Sequence, residues 1–359
     1  MTIWTVAALV IGLVLLVGGA EALVKSASKL AATAGISPLV IGLTVVAFGT
    51  SAPELTVSLQ ASLSQQADIA LGNVVGSNIC NVLLILGISA MIAPLVVAQQ
   101  LIRLDVPIMI GVSALVMLFG WDGQIGRSDG VILFLGGIAY TLFLLYQSRR
   151  DKDPVVQAEY AQFEQRSHSS KETALNVGLL VVGLVMLIAG SQLLIQSAVT
   201  IATLLGVSEL MIGLTVVAVG TSLPELATSV TASLRGESDI AVGNVVGSNI
   251  FNILVVLGLS GAVSPTGTGV SPAAIAFDIP VMIAVAAMCL PICFTGNKIS
   301  RKEGALLFTY YLLYVGYLAT NMINPGLSWP IWIGIVPVGL TLLTLLSWRT
   351  EKSPDQSIT

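Results

Sequence analysis

Two glutamates lie in the middle of long apolar stretches, where an ionised side chain needs a partner. Glu54 follows the run IGLTVVAFGTSAP and Glu225 follows the similar run IGLTVVAVGTSLP. A carboxylate at the centre of a bilayer costs roughly 2.5–3.5 kcal/mol on insertion scales. No lysine or arginine lies inside any of the apolar stretches to neutralise these charges. A bound cation or a proton is therefore the remaining partner.

The residues before each glutamate supply further oxygen atoms. Thr50 lies four positions before Glu54, so both side chains fall on one face of a helix. Pro53 removes a backbone donor, which frees a carbonyl group about one turn earlier, near Gly49. The equivalent residues before the second glutamate are Gly220, Thr221 and Pro224.

A second duplicated block is rich in asparagine and serine. Asn73, Ser77 and Asn81 follow one another at intervals of four, which places them on one helical face. On this face Ser77 and Asn81, with their equivalents Ser248 and Asn252, favour a lining for a ligand. Asn78 and its equivalent Asn249 fit ligand binding and interhelical hydrogen bonding equally well. The second copy of the face consists of Asn244, Ser248 and Asn252.

All these candidate ligands are oxygens of carboxylates, hydroxyls, amides and carbonyls. Such hard donors suit Na⁺, Ca²⁺, Mg²⁺ or Mn²⁺ rather than softer metals. Two carboxylates balance one divalent ion or about two monovalent ions, so Na⁺ and Ca²⁺ would compete for one site. This competition is a physical basis for exchange.

Composition places the chain in a membrane. Of its 359 residues 55% are hydrophobic and only 9% are charged, and the mean hydropathy is +0.94, against about 25% charged residues in ordinary globular proteins. The net charge of -4 is too small to indicate a nucleic-acid partner. The single histidine and the three dispersed cysteines exclude histidine chemistry, a disulfide framework and a zinc pattern. We expect no cofactor, only transported ions, and no obligatory protein partner, which is compatible with a monomer.

Eleven stretches are long and apolar enough to cross a bilayer, which needs about 20 residues. With an outside N-terminus and alternating loops, 14 of the 15 lysines and arginines fall on the cytoplasmic side, and Arg127 is the exception. The C-terminus and the polar 148–173 linker are then cytoplasmic, and the protein is a multi-pass component of the inner or plasma membrane. The predicted spans are 3–23, 38–62, 70–93, 105–120, 130–147, 174–198, 209–233, 242–263, 275–295, 304–323 and 329–347.

The chain contains an internal repeat. Shifting residues 42–94 by 171 positions gives residues 213–265 without a gap, with 33 of 53 positions identical. Each unit holds five spans, and because five is odd the second unit enters the membrane upside down. Inverted repeats are the architecture of secondary transporters, which bind substrate at mid-membrane between the repeats.

The predicted domains are 1–147 and 174–323 for the two halves, 148–173 for the linker, and 324–359 for an extra helix and tail.

Two further acidic residues fit a structural role. Asp105 and Asp278 each lie two residues before a proline, at the start of a predicted span. This pattern is typical of helix N-terminal caps.

The paired G-T-S-x-P-E and G-S-N-I-x-N blocks resemble the two alpha repeats of the sodium/calcium exchanger superfamily, and the match is closest to its small prokaryotic members. The resemblance covers spans one to ten. It implies an all-α fold of two inverted halves with ten core helices, alternating access by sliding of the first and sixth helices, and exchange of Ca²⁺ for several Na⁺. The eleventh span, 329–347, departs from that pattern.

The resemblance also implies a ligand set. Glu54 and Glu225 would bind both ions, with Thr50 and Thr221 beside them. The Na⁺ sites would be completed by the carbonyls of Ala47 and Ala218 and the hydroxyls of Ser51, Ser222, Ser77 and Ser248, and Asn81 and Asn252 would line the middle of the pocket.

Other functions stay open at this point. The runner-up is a H⁺/Ca²⁺ or other divalent-cation exchanger, because a buried glutamate can carry a proton. An ion channel would show open-pore conductance, and an intramembrane hydrolase would act on a peptide or lipid without an ion gradient.

Position 252 generates the first prediction. Several family members, including potassium-dependent ones, have aspartate where this chain has Asn252, which indicates transport without K⁺. We expect Asn252→Asp to change Na⁺ affinity or to introduce K⁺ or pH sensitivity, because it adds a charge to the pocket. Ca²⁺ flux in vesicles at varied Na⁺, K⁺ and pH measures this, and an unchanged ion dependence would reject the role of this position.

Overall fold

A computed structural model describes residues 3–34, 36–150, 170–204, 218–294 and 296–323, and these residues are almost entirely helical. The first half begins with one long helix and continues with helices that are interrupted by π-helical turns. Its helices are α1 (Ile3–Ala34), α2 (Pro38–Ile41), α3 (Ala47–Thr50), α4 (Ala52–Leu63), α5 (Ala67–Cys80), α6 (Gly87–Ile92), α7 (Val106–Phe119) and α8 (Arg127–Arg150), with π-helical turns at Gly42–Val46, Asn81–Leu86 and Leu101–Asp105 and a 3-10 turn at Gly120–Asp122.

The second half repeats this order. Its helices are α9 (Ser170–Leu204), α10 (Ala218–Thr221), α11 (Leu223–Leu234), α12 (Ser238–Phe251), α13 (Gly258–Val263), α14 (Ile279–Phe294) and α15 (Arg301–Ile323), with π-helical turns at Asn252–Leu257 and Ala274–Asp278. The fifth and sixth predicted spans are therefore longer than expected and extend into both ends of the linker. The first part of the seventh span and the whole of the eleventh, 329–347, lie outside the described residues.

Seven described helices are long and apolar enough to cross a membrane, and the bent pair Pro38–Thr50 and Ala52–Leu63 makes an eighth span if it is counted as one. These helices confirm a polytopic all-α membrane protein built from two inverted halves.

The third and eighth spans form the centre of the bundle. Of the residues in their most apolar windows, 78% are buried in Ile69–Ile92 and 89% in Ser238–Val263, against 28% in both Trp4–Ala34 and Lys171–Leu204. The long helices α1 and α9 therefore lie at the periphery, where lipid covers their apolar outer faces. The polar blocks identified in the sequence lie on the two central spans.

Two short antiparallel strand pairs join the halves. Leu95–Val96 pairs with Lys298–Ile299, and Gln124–Ile125 pairs with Thr268–Gly269. Each pair joins a loop of the first half to a loop of the second, so the joined loops must lie on the same side of the membrane. The predicted alternation of the spans assigns the first pair to one side and the second pair to the other, in agreement with this pairing.

The prediction that Asp105 caps a helix is wrong. The helix already begins before it as the π-helical turn Leu101–Asp105, and the side chain makes no capping bond. Asp105 is instead fully buried, and it accepts hydrogen bonds from the hydroxyl of Tyr140 (2.9 Å) and from Nε2 of Gln100 (3.3 Å). Its equivalent, Asp278, likewise ends a π-helical turn inside a continuous helix. Proline is tolerated after both because a π turn already leaves the regular bonding pattern.

Helices α1 and α9 cross through glycines. A Cβ atom added at Gly19 would lie 2.8 Å from the carbonyl oxygen of Gly183, and one added at Gly190 would lie 2.8 Å from that of Gly12. Small residues at such crossings let helix backbones approach closely in lipid. The contact therefore depends on the absence of side chains at these positions.

Adjacent glycines on α1 allow a matched test of this packing. Gly19→Ala should lower the thermal unfolding temperature in detergent, because its methyl group would meet backbone atoms of α9 that cannot move alone. Gly18→Ala is the control, since a Cβ there meets only the mobile end of Met186. Equal unfolding temperatures for the two variants would contradict the assigned contact.

Candidate cation-binding site

The two glutamate-bearing helices are broken next to their glutamates. The first bends by 47° between Thr50 and Ala52. The intervening Ser51 has φ -80° and ψ 10°, and Ser222 in the other half has φ -88° and ψ 9°. Proline two residues after each serine cannot donate a backbone hydrogen bond, so the helix restarts there. The sequence motif thus produces the same break twice, as expected from the residues.

Each carboxylate receives a hydrogen bond from the opposite half. The hydroxyl of Ser51 donates to Oε1 of Glu225, and the hydroxyl of Ser222 donates to Oε1 of Glu54, both at 3.0 Å. The hydroxyl of Ser77 also approaches Oε1 of Glu54, at 3.4 Å. Both glutamates are 0% exposed. The structure therefore brings together, in one buried centre, side chains that are 171 positions apart.

No basic side chain neutralises this centre within the described ranges. The hydrogen bonds that the two carboxylates accept there come from hydroxyl groups of neutral side chains. Arg235 forms an ion pair with Glu21, but this pair lies at the partly exposed edge of the bundle and not at the centre. Two carboxylates held together in a low dielectric need a counter-charge. The geometry suits a cation.

Several buried oxygens at this centre have no hydrogen-bond partner among the described residues. An unpaired buried acceptor is costly unless it serves a ligand. Unpaired hydroxyls also occur elsewhere, as at Ser89 and Ser260, but here the unpaired atoms include carboxylate oxygens, which can only accept. The unpaired site atoms are Oε2 of Glu54, Oε2 of Glu225, Oδ1 of Asn81, Oδ1 of Asn252 and Oγ of Ser248.

The described residues contain no cluster of three or more histidine, cysteine, aspartate or glutamate side chains suited to a metal. Any cation at this centre would thus be held by two charged and several neutral oxygens. Such a set suits an ion that is to be released again, since fewer charged ligands bind more weakly.

The two threonines are linked to the opposite half through asparagine. The hydroxyl of Thr50 donates to Oδ1 of Asn244 at 3.1 Å, and that of Thr221 donates to Oδ1 of Asn73 at 3.4 Å. The sequence placed these two asparagines on the same helical face as the lining residues, but it did not predict this connection. Nδ2 of each asparagine also donates to the backbone carbonyl of its own half's glutamate, at 3.2 and 3.3 Å.

The remaining candidate residues lie where the helices break or change type. The carbonyl of Ala47 accepts from the amide of Ser51 at 3.0 Å, and Ala218 begins α10 at the equivalent place. Asn81 and Asn252 each begin a π-helical turn. Such turns occur frequently at functional sites, and the sequence pattern did not predict them.

The fold and the site together define a polytopic membrane transporter rather than an enzyme. The family model described as sodium/calcium exchanger protein matches residues 4–148 and again residues 175–320. The chain belongs to the sodium/calcium exchanger family, and the two matches coincide with its two halves.

Relatives of similar length support this membership. The chain is 42% identical over 314 residues to the putative antiporter CaxA of Alkalimonas amylolytica, covering 86% of this chain and 95% of the relative. It is 39% identical to the inner membrane protein YrbG of Escherichia coli (87% and 96% covered) and 35% identical to the sodium/calcium exchanger MaX1 of Methanosarcina acetivorans (86% and 96%).

Solved structures agree. The sodium-calcium exchanger NCX_Mj, soaked with 2.5 mM Na⁺ and 0.1 mM Ca²⁺, superposes with a TM-score of 0.76 at 29% identity, covering 88% of this chain and 99% of that one. The same exchanger soaked without Na⁺ and Ca²⁺ also gives a TM-score of 0.76.

Proposed function

We propose that the protein exchanges Ca²⁺ for Na⁺ across the membrane by alternating access at the centre around Glu54 and Glu225. The observation that carries the proposal is a pair of fully buried carboxylates, one from each inverted half, with neutral oxygen donors and no basic partner among the described residues. The proposed ligands of the transported ions are the two glutamates, the side chains of Thr50, Thr221, Ser51, Ser222, Ser77, Ser248, Asn81 and Asn252, and the carbonyls of Ala47 and Ala218.

Charge balance explains why exchange would be coupled. One Ca²⁺, or about two Na⁺, would neutralise the two carboxylates, whereas the ion-free centre would keep two like charges in a low dielectric. Switching between the two faces without an ion is therefore unfavourable, and the exit of one ion depends on the entry of the other.

Sodium is proposed as the coupling ion for two reasons. The relative MaX1 is named a sodium/calcium exchanger, and NCX_Mj was soaked with Na⁺ and Ca²⁺. The site also offers more neutral oxygens than a proton needs. A proton would require only a carboxylate oxygen.

We also propose the orientation predicted by the positive charges, with the N-terminus outside and the 148–173 linker and C-terminus cytoplasmic. The positive charges support this proposal, whereas the strand pairing is the same in either orientation. Lys298 belongs to the pair with Leu95–Val96 and Arg127 lies beside the other pair, so the two residues are on opposite sides in the predicted alternation. A cysteine introduced at Arg127 should react with an impermeant thiol reagent added outside intact cells, and one at Lys298 should not. The reverse result would invert the assignment.

The central experiment is Ca²⁺ uptake by the purified protein in liposomes. We expect uptake to follow an imposed Na⁺ gradient, to saturate with Ca²⁺, and to be unaffected by a K⁺ or H⁺ gradient alone. Uptake driven by a pH gradient would establish a proton-coupled exchanger instead. Substantial Ca²⁺ leak in the absence of any counter-ion would contradict coupled exchange.

The carboxylates generate the sharpest prediction. Glu54→Gln and Glu225→Gln should each reduce Na⁺-driven Ca²⁺ uptake at least a hundredfold, because a ligand charge is lost while the shape is kept. Membrane insertion and monodispersity should be preserved. Glu21→Gln is the control, since Glu21 carries the same charge at the bundle's edge. Wild-type uptake by either central variant would end the site assignment.

A further inference from the structure

Asn78 and Asn249 form a reciprocal pair across the two halves. Nδ2 of Asn78 donates to the backbone carbonyl of Asn249 at 3.2 Å, and Nδ2 of Asn249 donates to the backbone carbonyl of Asn78 at 3.3 Å. A backbone carbonyl oxygen can only accept a hydrogen bond. The orientation of both side-chain amides is therefore determined, with the nitrogen toward the carbonyl and the oxygen on the other side.

This orientation determines that of a second pair of amides. Oδ1 of Asn78 accepts from Nδ2 of Asn252 at 3.1 Å, and Oδ1 of Asn249 accepts from Nδ2 of Asn81 at 3.0 Å. Because these nitrogens are occupied, the oxygens of Asn81 and Asn252 point the other way. Those are the oxygens that have no hydrogen-bond partner.

Every polar side-chain atom of the first pair contacts another protein atom. Besides the carbonyl, Nδ2 of Asn78 contacts the sulfur of Met282 at 3.7 Å, and Nδ2 of Asn249 contacts the sulfur of Met109 at 3.4 Å. The amide oxygens are used as well. Asn78 and Asn249 are each 2% exposed. Their contacts therefore serve the protein and not the ion.

We propose that Asn78 and Asn249 are positioning residues that hold the amides of Asn252 and Asn81 with the oxygen, and not the N–H₂ group, toward the transported cation. The inference rests on the proposed function. If Asn252 turned over, two amide oxygens would face each other at Asn78 and two N–H donors would face the cation. The reciprocal bonds make the orientation in one half depend on a backbone atom of the other, so both amide ligands are oriented together.

The test is a double-mutant cycle between Asn78 and Asn252. Asn78→Leu removes the acceptor for Nδ2 of Asn252 at similar volume. We expect the Ca²⁺ concentration for half-maximal Na⁺-driven uptake to rise about fivefold, roughly the affinity equivalent of one hydrogen bond, with the maximal rate within about twofold of wild type. In the Asn252→Ala background, Asn78→Leu should have no further effect, because the amide on which it acts is gone.

Controls separate positioning from general damage. Asn176→Leu makes the same change at a buried position of α9 and should leave half-saturation unchanged. If Asn78→Leu does not fold, Asn78→Ser is used in the same cycle, since it is smaller and its shorter side chain cannot span the same two bonds. An equal rise in both backgrounds, or no rise in either, would overturn the inference.

A second readout keeps the two proposals distinguishable. The same four proteins are compared by the Ca²⁺ concentration that half-maximally raises their unfolding temperature in detergent, which requires binding but no exchange. A wild type that binds Ca²⁺ without exchanging it for Na⁺ would contradict the proposed function, while the cycle would still decide the role of Asn78. A wild type that shows no stabilisation by Ca²⁺ would contradict both proposals.

Discussion

The structure depends on how two negative charges are held in the middle of a membrane protein. Glu54 and Glu225 are fully buried, and the described side chains around them are neutral. Lipid cannot solvate carboxylate charges, and no lysine or arginine in the described part of the chain pairs with them. The protein surrounds them instead with hydroxyls, amides and broken helices, which supply oriented dipoles and unpaired oxygens. This arrangement suits a mobile counter-charge.

Hydrogen bonds between the two halves form the centre. Each glutamate accepts from a serine of the opposite half, each threonine donates to an opposite asparagine, and the central asparagines exchange bonds with opposite backbone carbonyls. A displacement of one half against the other would therefore alter every one of these contacts together. The proposed site can in this way respond as a unit to the ion it holds.

The surrounding frame assigns different tasks to different helices. The third and eighth spans are the most buried of the candidate spans and carry the asparagines. The loop that follows each of them pairs with a loop of the other half through a short strand pair, and the two strand pairs lie on opposite sides of the predicted membrane. The long helices α1 and α9 lie at the periphery and contact each other at glycine residues, and α9 packs against the broken helices. Burial is thus concentrated around the polar centre, and the less buried helices α1 and α9 pack outside it.

The sequence by itself was sufficient to predict the membrane location, the inverted duplication and the two glutamates as candidate cation ligands. Composition, span length and repeated motifs can be read from the sequence without knowing which residues contact each other. An odd number of spans per repeat then requires the second repeat to be inverted. Ser51 and Ser222, which donate to the glutamates of the opposite half, were named only from a family resemblance, because nothing in local spacing shows which serine faces across the bundle.

Only the tertiary structure decided which partners the polar side chains bind. Asp105 looked like a helix cap because of Pro107, but a π-helical turn moved the helix start and buried the carboxylate against Tyr140. Asn78 fitted binding and packing equally well until its nitrogen was found on the backbone carbonyl of Asn249. The orientation of these amides depends on contacts between segments about 170 positions apart, and sequence periodicity carries no information about such contacts.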